Sequence, residues 1–110
     1  MIPLCEALPP KSISRIIQSQ LLRSAFSAAA NYRAACKAQS GKAFKAKVSI
    51  SFEEMDESLF WLESINDLLL IKTEMLASVL KEADALTRIL AATRISLEKK
   101  AAGKILNIQS

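Results

Sequence analysis

The chain has 110 residues, 51% of them hydrophobic, and a formal net charge of +4. It has no histidine and only two cysteines, which excludes histidine-based catalysis and a four-ligand zinc site built within one chain. The longest run without a charged residue is 24–32, far shorter than the about 20 apolar residues of a membrane span. We therefore expect a cytoplasmic protein with one domain over residues 1–110.

The chain begins with a short stub over residues 1–8, because Pro9 and Pro10 stop any helix that precedes them. Beyond the prolines, apolar residues recur every three or four positions over about 11–37, 41–69 and 74–101, which predicts three long helices. Ser12 and Ser40 are plausible N-caps of the first two long helices, and Thr73 followed by Glu74 is the best start for the last one, which is expected to end near Gly103. Long helices joined by short loops pack antiparallel, so the predicted fold class is all-α, an up-down antiparallel helical bundle.

Two helices carry apolar residues outside their main apolar faces. Leu22 and Phe26 lie among basic residues on the first long helix, and Ile50, Trp61 and Leu68 share a second side of the next helix. A central bundle helix contacts two neighbours, which explains part of this surface within one chain. The alternative is contact with another subunit, and these five residues are the candidate oligomer interface.

The basic residues are concentrated in the first half of the chain. Residues 1–50 have eight Lys or Arg and one acid, a net charge of +7, whereas residues 51–110 have seven and ten, a net charge of −3. This asymmetry indicates either a polyanionic partner or an acidic face of another subunit. The candidate nucleic-acid-binding residues are Lys11, Arg15, Arg23, Arg33, Lys37, Lys42 and Lys45.

The remaining charged cluster, residues 53–57, has no histidine partner of the kind that a di-metal bundle requires. Its four carboxylates are typical of a solvated or interface helix face. We expect no catalytic residue, no metal and no cofactor, and hence a protein that is not an enzyme.

Short motifs in a fixed order resemble one known family. They are Leu8-Pro9, residues 20–24 (QLLRS), residues 30–33 (ANYR), Ala38, Ser40, Phe44, Lys47, residues 57–62 with Glu-Ser and Phe-Trp-Leu, and Glu82 followed by Leu86 and Ile89-Leu90. Together they are similar to the bacterial four helix bundle protein family, also called 23S rRNA-intervening-sequence proteins, over about residues 8–100. Ala34 departs from the family pattern, which has Glu there.

The resemblance implies a four-helix bundle and a homo-oligomer, specifically a ring-like pentamer. A related branch, the accessory variability proteins of diversity-generating retroelements, implies binding to RNA and to a reverse transcriptase. The family has a full helix before the Leu-Pro pair, where this chain has seven residues. We therefore expect the first helix to be truncated to the stub, unless translation starts upstream of Met1.

Overall fold

A computed structural model describes residues 1–71 and 74–109, and the side chains of residues 1–71, 74–100, 102 and 103. These residues form four helices and no strand: α1 (Ile2–Glu6), α2 (Ser12–Cys36), α3 (Gly41–Asp67) and α4 (Glu74–Gln109). The all-α fold predicted from the sequence is confirmed, and α1 is the expected stub. None of the described helices is both long enough and apolar enough to cross a membrane.

The helix starts agree only in part with the sequence. Ser40 caps α3 as predicted, because its side chain accepts a hydrogen bond of 3.0 Å from the backbone N–H of Ala43. The prediction of Ser12 as an N-cap is wrong, because Ser12 is already the first residue of α2, extended Lys11 precedes it, and no side chain caps that helix. The third predicted start, Thr73, lies outside the described residues.

The end of α3 is set by backbone geometry and not by glycine or proline. Leu69 has a positive φ of 54°. The N–H of Leu70 donates to the carbonyl of Ile65, and the N–H of Leu69 donates to that of Asn66, both at 3.1 Å. This pattern is a Schellman motif, and it ends α3 at Asp67, two residues before the predicted end.

The last helix is longer than predicted. It continues through Gly103 to Gln109, past the expected end at about 101. A single glycine disfavours a helix by only about 1 kcal/mol, and the neighbouring residues favour it. With 36 residues, α4 is about 54 Å long and accounts for most of the 61 Å length of the molecule.

The middle long helix, α3, packs against both α2 and α4. The hydroxyls of Ser24 and Ser58 are 2.7 Å apart, and Ser51 donates to the carbonyl of Ala28 at 2.8 Å. These pairs show that α2 and α3 are antiparallel and that small side chains separate them. By contrast, the backbones of α2 and α4 hardly approach each other, so the two helices form the walls of a groove with α3 as its floor.

The stub fills one end of this groove. Leu4 and Cys5 of α1 are 0% and 2% exposed, and they join the core cluster that contains Leu21, Leu62 and Ala83. We call this part of the molecule the α1 end. Toward the opposite end, where α2 finishes and α3 begins, the groove has no α1 in it.

Candidate interaction surfaces

The α2–α4 groove, as we call it, is open beyond Met1. Its open part has a volume of about 320 Å³. Apolar and small residues of all three long helices line it, with Ala29 and Tyr32 from α2, Met55 from α3, and Leu86 and Ile89 from α4. Such a lining fits an apolar partner better than a polar ligand.

Large apolar side chains project from the edges of the groove. Ile89 is 61% exposed, and Tyr32 and Leu86 are also exposed. Phe26, also 61% exposed, and Ile2 line the adjacent hollow between α1 and α2. Tyr32, with its ring half exposed, lies at the open edge of the groove. Clustered exposed apolar residues on a protein surface mark an interaction site more often than isolated ones do.

The five predicted interface residues do not form one surface. Leu22 and Phe26 line a separate hollow between α1 and α2. Ile50 and Leu68 are exposed and lie 18 residues apart, about 27 Å along α3. Trp61 is half-buried against the core, and its indole N–H donates to Glu57 at 3.2 Å.

Basic residues gather at the end of the molecule opposite α1, which we call the basic end. Residues 30–50 supply five cations and residues 91–103 supply three, eight in all, against one carboxylate, Glu98. None of the eight forms an ion pair within the part of the chain that the structure describes. The cations are Arg33, Lys37, Lys42, Lys45, Lys47, Arg94, Lys99 and Lys100.

The structure divides the predicted nucleic-acid-binding residues into three groups. Lys11 and Arg15 lie at the α1 end, and Arg15 is about 27 Å along α2 from Arg33. Arg23 forms ion pairs with Glu54, at 3.0 Å, and with Glu57. Only the other four, which are Arg33, Lys37, Lys42 and Lys45, belong to the basic end.

Sequence reasoning missed the cations that α4 brings to the basic end. Lys99 and Lys100 are exposed there, and the guanidinium of Arg94 lies 4.3 Å from the centre of the Phe52 ring. These cations were overlooked because the second half of the chain, taken as a whole, has a net negative charge. Counting charges for each half of each antiparallel helix would have found them.

The outward face of α3 carries the opposite charge. Residues 51–71 contain six carboxylates and no Lys or Arg. Three- and four-residue steps place one set of them on the outer side of α3 together with an aromatic residue, Phe60, which is 56% exposed. We call this set the acidic ridge; its members are all exposed and are Glu53, Asp56, Phe60, Glu63 and Asp67.

The two cysteines differ in environment. Cys5 is buried in the core, and burial raises the pKa of its thiol. Cys36 is exposed at the end of α2. Among the described residues, no three Cys, Asp or Glu side chains converge in a way that could hold a metal ion.

Comparison with known protein families gives a match over most of the chain. The model of a protein family described as "23S rRNA-intervening sequence protein" matches residues 2–92. The match confirms the resemblance seen in the sequence motifs. No curated protein and no solved structure matches the chain.

Proposed function

Because the chain belongs to the 23S rRNA-intervening sequence protein family, we propose that it is a non-enzymatic scaffold that works by association with copies of itself. The observation that carries this proposal is the α2–α4 groove, with exposed apolar side chains along both of its walls. Removing such a surface from water stabilises an assembly by about 25 cal/mol for each Å² of apolar area. A pentamer is the form that the family resemblance suggests.

Light scattering on the full chain tests this proposal. One copy has a mass of 12.0 kDa, so a pentamer has five times that mass, 60 kDa. Ile89→Glu places a charge at the edge of the groove and is expected to reduce the mass, because the carboxylate would have to be buried in the assembly. Ile95→Glu is the matched control: Ile95 is also exposed, at 49%, and does not line the groove. A wild-type chain that remains at 12.0 kDa would contradict the proposal.

A second candidate function is nucleic-acid binding by the basic end. The chain would then be an RNA-binding accessory protein, and its partners would be RNA or a reverse transcriptase. The observation that favours it is the set of eight cations that have no carboxylate partner among the described residues. Cations that are free of internal ion pairs attract phosphates and release counterions on binding, so affinity falls steeply with salt. An oligomer would present several basic ends to one RNA.

Filter binding to a structured RNA at several salt concentrations tests the second candidate. We expect affinity at about 50 mM salt and a steep loss toward about 200 mM. Replacing Lys99 and Lys100 by Gln should lower the salt slope by about 1.4–1.8, the value for two lost phosphate contacts. Replacing Lys11 and Arg15 by Gln at the α1 end is the matched control and should leave the slope unchanged. Absence of binding at about 50 mM salt would exclude this function.

A further inference from the structure

Arg94 occupies a position on α4 where the pattern of the helix predicts an apolar residue. Buried residues follow the core-facing side of α4 in steps of three and four, from Ala83 through Thr87 to Leu90. The next step of this row falls on Arg94, whose guanidinium lies over the ring of Phe52 on α3, 4.3 Å from its centre. An arginine is rarely placed on the buried side of a helix unless it is paired.

The fold leaves this arginine without a polar partner. Its Nε atom is buried and makes no hydrogen bond to any described residue, and no carboxylate in the described part of the chain pairs with it. Arg88 of the same helix, in contrast, pairs with Asp84 at 3.1 Å. A buried donor without a partner lowers the stability of a protein, so packing alone gives no reason for an arginine at this position.

The ring of Phe52 keeps the guanidinium available to a ligand. Glu98 lies one turn further along α4 and is exposed, yet it forms no ion pair with Arg94. A guanidinium over an aromatic face is held in one orientation while its edge remains free to donate. Arg94 as a whole is half-buried, and its two terminal nitrogens are not enclosed. They therefore provide a pair of fixed donors at the surface.

The donors and the surrounding charge indicate the chemistry of the ligand. Two N–H groups of one guanidinium match two oxygens of a phosphate or a carboxylate. The other seven cations of the basic end, against one carboxylate, favour a ligand with repeated negative charge, which is a chain of phosphates. Lys45 lies two turns from Phe52 on the same side of α3, about 10 Å closer to the start of that helix, where it would meet a second phosphate.

We propose that Arg94, positioned by Phe52, binds a backbone phosphate of a nucleic acid, an inference that rests on the second candidate function. Arg94 then differs in kind from the exposed lysines of the basic end, which attract phosphates as mobile point charges. A fixed contact with two hydrogen bonds determines where the strand lies, and the lysines add affinity around it.

Substitutions at this site separate the charge of Arg94 from its geometry. In filter binding to a structured RNA, Arg94→Met should weaken binding roughly tenfold and lower the salt slope by about 0.7–0.9, the value for one lost phosphate contact. Arg94→Lys keeps the charge but loses the paired donors, so it should weaken binding and leave the slope unchanged. Phe52→Leu should do the same, because it removes the ring that orients the guanidinium. Arg88→Met, which removes a cation that already has a carboxylate partner, is the matched control and should change neither quantity.

The melting temperature provides an independent measurement. Arg94→Met removes the unpartnered buried nitrogen, so it should melt at a higher temperature than the wild type although it binds RNA less tightly. A residue that only supports the fold would not show this opposition. If Arg94→Met melted at a lower temperature and bound RNA with wild-type affinity, Arg94 would belong to the fold and the phosphate site would be overturned.

The remaining outcomes distinguish this site from the function on which it rests. Wild-type RNA affinity in Arg94→Met would overturn the site while leaving the basic end as a binding surface. A wild-type chain that binds no RNA at about 50 mM salt would overturn the second candidate function itself. If such a chain melted higher in inorganic phosphate than in chloride of equal ionic strength, and Arg94→Met did not, the ligand would be a free phosphate and not a nucleic acid.

Discussion

Replacing Leu69 by glycine should stabilise the protein, although it removes a large apolar side chain. Leu69 has a φ of 54° and is 67% exposed. The left-handed conformation costs a residue with a Cβ roughly 1–2 kcal/mol, and the exposed side chain offsets little of this by burial. Glycine loses about 0.5–1 kcal/mol through its greater freedom in the unfolded chain. The net expectation is a gain of about 0.5–1 kcal/mol in the free energy of unfolding.

The neighbouring residue provides the control for this prediction. Leu68 is also exposed, at 53%, but its φ is −84°. Leu68→Gly should therefore lower the free energy of unfolding by about 0.5–1 kcal/mol. Urea denaturation followed by circular dichroism measures both variants, and heating should show a gain of about 2–5 °C for Leu69→Gly. If Leu69→Gly were no more stable than Leu68→Gly, Leu69 would not have the strained backbone described above.

Three further predictions concern packing, charge and thiol reactivity. Ser58→Leu should lower the free energy of unfolding by about 1–3 kcal/mol because it overpacks the contact between α2 and α3. The control, Ser58→Ala, should lower it by about 1 kcal/mol. If urea denaturation showed the same loss of stability for both variants, the close contact between the two helices would be contradicted. Arg23→Met should cost less than about 1 kcal/mol, because ion pairs near the surface contribute little; a loss above about 2 kcal/mol would mean that this ion pair orders the α2–α3 contact. Cys36 should react with an aromatic disulfide reagent in the native protein, whereas Cys5 should react only after unfolding; two equally fast thiols would contradict the burial of Cys5.

Most of the fold could be predicted because helix periodicity is a local property of the sequence. The apolar spacing located all three long helices, and Ser40 marked the start of α3 correctly. The ends were harder, because they depend on backbone conformation that composition does not reveal. Leu69 ends α3 in a conformation usually given to glycine, whereas Gly103 remains inside α4.

The interaction surfaces were predictable only where they lie on one helix. Leu22 and Phe26 could be assigned to a contact surface because both are on α2. The groove, by contrast, is lined by Ala29 and Tyr32 of α2 and by Leu86 and Ile89 of α4, and only the packing of the helices brings these two sets together. For the same reason the basic residues of α2 were predicted to form one candidate nucleic-acid-binding set, whereas the antiparallel packing places some of them at the same end of the molecule as Lys99 and others at the opposite end.

The position of α3 has a consequence for how the chain folds. Among the described helices, α3 is the one that packs extensively on both α2 and α4, and each of these is its neighbour along the chain. Its contacts therefore connect segments that are close in sequence, a topology associated with folding in microseconds to milliseconds. Backbone amides in the middle of α3 should exchange hydrogen most slowly, because they open only when the contacts on both sides are lost.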